Sequence, residues 1–147
     1  MRGYWGIGCE NMKTGMNYGS LHRSAQSFGA SFIFLIGKRF KRQSSDVLNS
    51  WKHIPLYEYD SFDDFNKHRP FDCKPIGVEI TKNSIPIKEF EHPERAIYLL
   101  GAEDSGLTKN AMNKCQNIIQ IPGDYCLNVA NAGTIVMFDR INKSNTR

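Results

Sequence analysis

The sequence predicts an α/β fold, a mostly parallel sheet flanked by helices. Strand-like apolar runs alternate with helical patterns along the whole chain, which is how successive strand–helix units read. A length of 147 residues suits one domain, 1–147, around a single core and is too short for two. Two of the strand-like runs, ending near Leu100 and Ile121, break into Gly- or Pro-containing loops that lead into helices. Strand ends paired in this way form the crevice in which α/β sheets hold an extended ligand.

Taken in order, Tyr4 to Cys9 and Ser31 to Ile36 are rich in aromatic and β-branched residues and predict strands. Between them Leu21, Ala25 and Phe28 recur at helical spacing over Tyr18 to Phe28, and Gly29 follows as a C-terminal cap. Asp46 to Trp51 fits a short helix. Ile54 to Tyr57 fits an edge strand, because Pro55 has no amide proton for a ladder. Ser61, followed by Asp63 and Asp64, caps the next helix. Pro75 to Ile80 and Ala96 to Leu100 are further strands, Thr108 caps a helix to Lys114, and Asn117 to Ile121 returns as a strand. The last helix covers Leu127 to Asn142, with Val129, Ala132, Ile135, Val136 and Ile141 for burial and a polar, frayed tail from Lys143.

Composition narrows the function classes. The chain is 40% hydrophobic and 23% charged, as a soluble globular protein is. No run is long and apolar enough for a signal peptide or a bilayer span, so a cytoplasmic protein with no membrane partner is expected. Cys9, Cys73, Cys115 and Cys126 are irregularly spaced, and His22, His53, His68 and His92 form no ligand-like spacing with them. That argues against a metal site or a disulfide framework and for reduced thiols. The net charge of +4 is too mild to imply nucleic acid. Its clustering is more suggestive: Lys38, Arg39, Lys41 and Arg42 surround Phe40, as either a solvated loop or a phosphate-contacting patch.

The segments Leu99 to Gly106 and Ile121 to Ala132 carry the chemistry. Both are rich in small residues around a carboxylate or an amide, a mix that points to a site rather than to core packing. Three blocks resemble the SpoU/TrmH branch of the SPOUT RNA methyltransferases, over essentially the whole chain. The first is Asn17 to Arg23 with Ala25, Phe28 and Gly29, similar to that family's Asn-x5-Arg block. The second is Tyr98 to Leu107, close to its Gly-x-Glu-x-x-Gly-Leu loop; the third is Ile121 to Ala132, close to its Ile-Pro…Ser-Leu-Asn-x-x-x-Ala block.

The resemblance implies a SPOUT α/β-knot, with the C-terminal third threaded as a trefoil knot, and a homodimer. It implies S-adenosyl-L-methionine as cofactor and 2′-O-ribose methylation of RNA, with tRNA favoured over rRNA. The residues carried over as catalytic are Arg23, Asn17, Glu103 and Asn128; those carried over as cofactor-binding are Glu79, Gly101, Ile121, Cys126 and Leu127. A guanidinium holds its proton well above neutral pH, so Arg23 is read as a phosphate clamp and oxyanion stabiliser rather than a base. Without the motif it reads as a surface arginine paired with an acid. Glu103 is the family-matched acid, free to orient Arg23, the ribose or a second subunit, while Asp104 is expected to be solvated. Asn17 and Asn128 also suit helix capping, and Gly101 and Gly106 suit turns or a close backbone approach. Glu79 ends its strand where its side chain can meet the amino-acid portion of the cofactor. Cys126 departs from the pattern, standing where relatives carry serine, and a thiol is the weaker hydrogen-bond partner.

For RNA, Tyr4, Trp5 and the basic run offer stacking and phosphate contacts, although Tyr4 and Trp5 equally suit the core or a dimer interface. Two alternatives remain. One is a catalytically inactive paralogue acting as an RNA-binding dimer, which Cys126 favours and Asn17, Arg23, Glu103 and Asn128 oppose. The other is an unrelated nucleotide-binding enzyme, which the absence of a GxGxxG run or phosphate loop ranks last.

Overall fold

The computed structural model describes residues 3–41 and 54–145. The short helix expected at Asp46 to Trp51 lies outside the described residues, as do Arg42 and His53. Among the described residues seven strands form one sheet: β1 (Tyr4–Glu10), β2 (Phe32–Ile36), β3 (Leu56–Tyr59), β4 (Lys74–Val78), β5 (Ile85–Pro86), β6 (Arg95–Leu100) and β7 (Asn117–Gln120). Their order is β3-β2-β1-β6-β4-β7-β5, and every neighbouring pair is parallel. The helices are α1 (Gly15–Phe28), α2 (Phe62–His68), α3 (Lys109–Lys114) and α4 (Val129–Asn145).

Because side chains alternate across a strand, each central strand feeds two cores. Trp5, Ile7, Cys9, Ile33, Leu35, Tyr98 and Leu100 pack with Leu21 and Ala25 of α1 and Val136 and Met137 of α4. The intervening Phe32, Phe34, Ile36, Ile97 and Leu99 pack with Phe62 and Phe65 of α2 and Ala111 of α3. Burial on both faces explains the unbroken apolar runs in the strands. Gly6 and Gly8 leave room on the second face, since a Cβ at either would collide with Phe32 or Phe34.

The helix ends follow from local chemistry. Thr14 caps α1 by accepting from the Asn17 amide, and Gly29 closes it in the left-handed region at φ 80°. Asn17 therefore stands in the first turn and does not cap, as had been one of its two readings. Ser61 and Thr108 cap α2 and α3 as expected. At α4 the expected start shifts from Leu127 to Val129, because Asn128 Oδ1 accepts from the Ala130 and Asn131 amides at 2.9 and 3.3 Å. The expected frayed tail is helical through Asn145, tied by Lys143 Nζ to the Ile87 and Phe90 carbonyls.

Further differences concern strands: β4 runs Lys74–Val78 where Pro75 to Ile80 was expected. The edge strand β3 begins at Leu56 rather than Ile54, because Pro55 contributes only its carbonyl, to the Ile33 amide. The two-residue β5, with its 3-10 turn Ile87–Glu89, has no counterpart in the sequence reading. A pair of residues that includes proline carries no periodicity.

Candidate functional site

Chain order reverses at β1, which lies between β2 and β6, and ligands of open α/β sheets bind beyond the carboxyl ends of the strands near such a reversal. A cavity of about 510 Å³ opens on that side of the sheet, one strand further along, beyond the carboxyl ends of β4, β6 and β7. Val78 to Thr81, Leu100 to Leu107, Ile121, Tyr125 to Leu127, Val129 and Ala132 line it. Gly101, Ile121, Cys126, Leu127, Glu79 and Glu103, all singled out from sequence, are among these residues.

The β6 loop has a fixed shape. Ala102 and Gly106 exchange backbone hydrogen bonds at 2.9 and 3.2 Å, closing a tight antiparallel bridge. Gly101 lies against the backbone of Gly106 and Leu107 so closely that any Cβ would collide with it. Gly106 has φ +68°, the left-handed region, and a Cβ there would run into the Glu79 carboxylate.

Three carboxylates ring the cavity, and each is engaged by the chain. Glu79 Oε2 accepts from the Leu107 amide and Oε1 from its neighbour Ile80, both at 3.0 Å. The Glu79 side chain thus braces the loop while it lines the cavity. Glu103 accepts from the Lys13 amide at 3.0 and 3.2 Å and from Asn17 Nδ2 at 2.9 Å. Partial burial raises the Glu103 carboxyl, but the Lys13 and Asn17 donors outweigh it and hold it below its ordinary range. Asn17 Oδ1 in turn accepts from Asn128 Nδ2 at 2.9 Å. Glu103, Asn17 and Asn128, one from each sequence block, thus form a single hydrogen-bonded chain.

Asp104 is exposed, as expected, and is also held by a two-pronged pair with Arg39, at 2.7 and 3.0 Å. The Arg39 hydrogen bonds draw its carboxyl down to about 2. Of the basic run, Arg39 is thus paired with Asp104 and Lys38 with Glu58 at 2.7 Å. Trp5 is fully buried in the first core, which removes it as an RNA-stacking surface.

Arg23 is not brought into this chain. It is exposed on α1, and six positions beyond Asn17 place it about 9 Å further along the axis and about 240° around it. No hydrogen bond or ion pair of its side chain is present among the described residues. Glu103 therefore does not orient Arg23 within one protomer.

Sequence reasoning missed the Lys13 amide, the Asn11 carbonyl, which accepts from Arg39 Nε at 3.0 Å, and Tyr125 on the cavity wall. The first two are backbone groups and carry no residue signature; Tyr125 stood inside the third block but matched nothing in its pattern. Among the described residues no cluster of three or more His, Cys, Asp and Glu side chains could hold a metal ion. No described helix is long and apolar enough to cross a membrane.

Comparison with known proteins finds the same fold. Among solved structures, one giving structural insights into the 2-OH methylation of C/U34 on tRNA shares 21% identity, covers 100% of both chains and superposes with a TM-score of 0.87. The SpoU methyltransferase AviRb from Streptomyces viridochromogenes in complex with AdoMet shares 19% identity over 100% of this chain and 63% of its own, with a TM-score of 0.86. An AdoMet-bound rRNA methyltransferase from Sinorhizobium meliloti shares 19% identity over 97% of this chain and 57% of its own, with a TM-score of 0.80. The chain thus spans only about 60% of the length of some of these proteins. No curated protein matches it. The model of the SpoU rRNA methylase family matches residues 6–138, taking in all three blocks and the chain of hydrogen bonds that joins them. By that match the protein belongs to the SpoU methylase family.

Proposed function

We propose that this protein is an S-adenosylmethionine-dependent RNA 2′-O-ribose methyltransferase acting on tRNA as a homodimer, with the trefoil threading of its relatives. The carrying observation is the Glu103–Asn17–Asn128 chain, which meets a loop-lined cavity beyond the carboxyl ends of the strands through Glu103. The cavity suits the cofactor. Its volume lies in the range of small-molecule sites, Val78, Leu100, Ile121 and Leu127 offer apolar surface to an adenosine, and Glu79, Glu103 and Asp104 set negative charge around a cationic group. The AdoMet-bound relatives support the cofactor, and the relative described for C/U34 of tRNA supports the substrate and the ribose hydroxyl.

When bound, S-adenosylmethionine supplies a methyl group already activated by its sulfonium centre. The work left to the chain is positioning and charge stabilisation. Glu103 and Asn128 together set the Asn17 amide in one orientation, its nitrogen toward the carboxylate and its oxygen toward the asparagine. Gly101 and Gly106 let the loop fold tightly along the cavity wall, since a Cβ at Gly101 would meet the Gly106 and Leu107 backbone and one at Gly106 the Glu79 carboxylate. Arg23 clamps the RNA phosphate and stabilises the developing alkoxide, from the second copy of the chain, because its own Asn17 faces elsewhere. Exposed Met16 and Phe138, on the paired helices α1 and α4, offer apolar surface for that second copy.

Tritiated methyl transfer to total RNA, with Arg23→Ala as control, tests the reading. Label in RNA that is lost in the variant is the expected result. Calorimetric binding of the cofactor and RNA without any transfer would leave the inactive RNA-binding dimer. A protein that ignores S-adenosylmethionine at millimolar concentration would end the proposal.

A further inference from the structure

Arg39 belongs to the loop after β2, yet its polar groups serve two other loops. Its amide donates to the Met12 carbonyl at 2.9 Å and its Nε to the Asn11 carbonyl at 3.0 Å. Asn11 is itself held in the left-handed region at φ 57°, with its amide on the Ile36 carbonyl at 2.7 Å. The remaining two nitrogens, Nη1 and Nη2, grip both oxygens of Asp104. The residue beside Asp104 is Glu103, held from the next stretch of the same loop by the Lys13 amide.

We infer that Arg39 is a positioning residue for the cofactor loop: anchored on Asn11 and Met12, it straps Asp104 and so holds the Ala102–Gly106 bridge in the shape that lines the cavity. The inference rests on reading that cavity as the S-adenosylmethionine site. It reassigns Arg39 from RNA phosphate contact to the other half of the reaction. The planar fork is essential to it. A guanidinium meets a carboxylate with two parallel hydrogen bonds while a third donor holds the carbonyl; an ammonium is a point charge and cannot span the same three acceptors. Glu79 braces the far end of the loop through Leu107, so removing Arg39 frees one end without unfolding the whole.

The test compares Arg39→Ala, Arg39→Lys, Asp104→Asn and the Arg39→Ala/Asp104→Asn pair, with Lys41→Ala as the control for loss of positive charge. Amide hydrogen exchange is followed at Ala102 and Gly106 in the free protein, with Ile7 and Leu99 reporting the core. Calorimetry gives the S-adenosylmethionine Kd in the absence of RNA. Each single variant at Arg39 or Asp104 should speed exchange at Ala102 and Gly106 alone. Each should also weaken cofactor binding by up to about fivefold, the range set by a half-exposed ion pair. The double variant should be no worse than either single, since both remove one strap, and Lys41→Ala should change neither readout. Arg39→Ala with wild-type protection at Ala102 and Gly106, or with an unchanged cofactor Kd and a loss confined to RNA binding, would overturn the inference. If exchange quickens while the wild-type protein binds no S-adenosylmethionine, the strap stands and the reading of the cavity falls.

Discussion

Asn128 Nδ2 donates to Asn17 Oδ1 across 2.9 Å, joining the cap of α4 to the first turn of α1 although 111 positions separate them. The two residues carry different structural burdens. Asn128 Oδ1 also accepts from two amides of α4, whereas the side chain of Asn17 caps nothing. Asn128→Ala should cost about 1 kcal/mol of stability through the lost cap. Asn17→Ala should cost clearly less, since its hydrogen bonds are solvent-exposed. In methyl transfer the order should vanish: both should lose activity, and the double variant should fall well short of the product of the two losses. Denaturant titration and a transfer assay on the same samples separate the two effects. Losses in transfer that multiply independently would show that no coupled chain exists.

Gly101→Ala should be the most damaging single methyl in the site. Its Cβ would meet the Gly106 and Leu107 backbone, which cannot rotate away as a side-chain tip can. Insertion into such a space costs roughly 1–3 kcal/mol, and the Ala102–Gly106 bridge would have to open to relieve it. Gly19→Ala is the matched control, because nothing lies within 4 Å of a Cβ there. Helix propensity should make that change neutral or slightly stabilising. Melting temperatures that fall equally in the two variants would contradict this account of the loop.

These two sites also show how much the sequence could disclose. The central strands were readable because burial on both faces leaves unbroken apolar runs, and the caps at Ser61, Thr108 and Gly29 because capping is local chemistry. Glu103, Asn17 and Asn128 were recognisable as candidates through motif order. That they touch was not, since hydrogen bonds between residues 86 and 111 positions apart depend on strand order, which periodicity does not encode. The basic run after β2 shows the same boundary more sharply. Its charge is visible in sequence and leaves open a solvated loop or a phosphate contact, but the partner of Arg39, Asp104, lies 65 positions away and gives no local signal. Glu79, which directly follows the end of β4, was recognisable as a cavity residue, but its hold on the Leu107 amide was not, because a backbone donor leaves no trace in composition.

Stability should depend on pH through His92, remote from the cavity. Its Nδ1 meets the Tyr98 hydroxyl at 2.6 Å and its Nε2 meets Asp139 at 2.7 Å, with Lys143 and Arg140 close by. Burial lowers the imidazole pKa below its ordinary 6.5, and Asp139 only partly opposes it. The unfolded chain then binds the proton more readily than the folded one, so this contribution is fully present above about pH 6.5 and is lost as pH falls below it. The slope cannot exceed about 1.4 kcal/mol per pH unit for one proton. His92→Gln removes the titration while keeping an amide between Tyr98 and Asp139. The stability difference between wild type and variant should therefore shrink on passing from pH 7.5 to 5.5. A difference that grows on acidification would mean that Asp139 dominates over burial.

Cys126 offers a direct probe of cavity occupancy. It is the exposed cysteine, on the cavity wall beside Leu127, whereas Cys9 and Cys73 are buried and burial pushes the Cys115 thiol up to about 12. Iodoacetamide should therefore label Cys126 first, since exposure and thiolate fraction govern the rate. S-adenosylmethionine at saturation should slow that labelling several-fold without slowing the reaction of Cys115 in partly unfolded protein. Cys126→Ser should leave stability within about 0.5 kcal/mol, as exposed substitutions do. It should bind the cofactor at least as tightly, because a hydroxyl is the stronger hydrogen-bond partner. Mass spectrometry of the labelled peptide gives the rate at each thiol. Equal labelling of Cys126 with and without the cofactor, in a protein that binds it by calorimetry, would move the binding site away from the loop after β7.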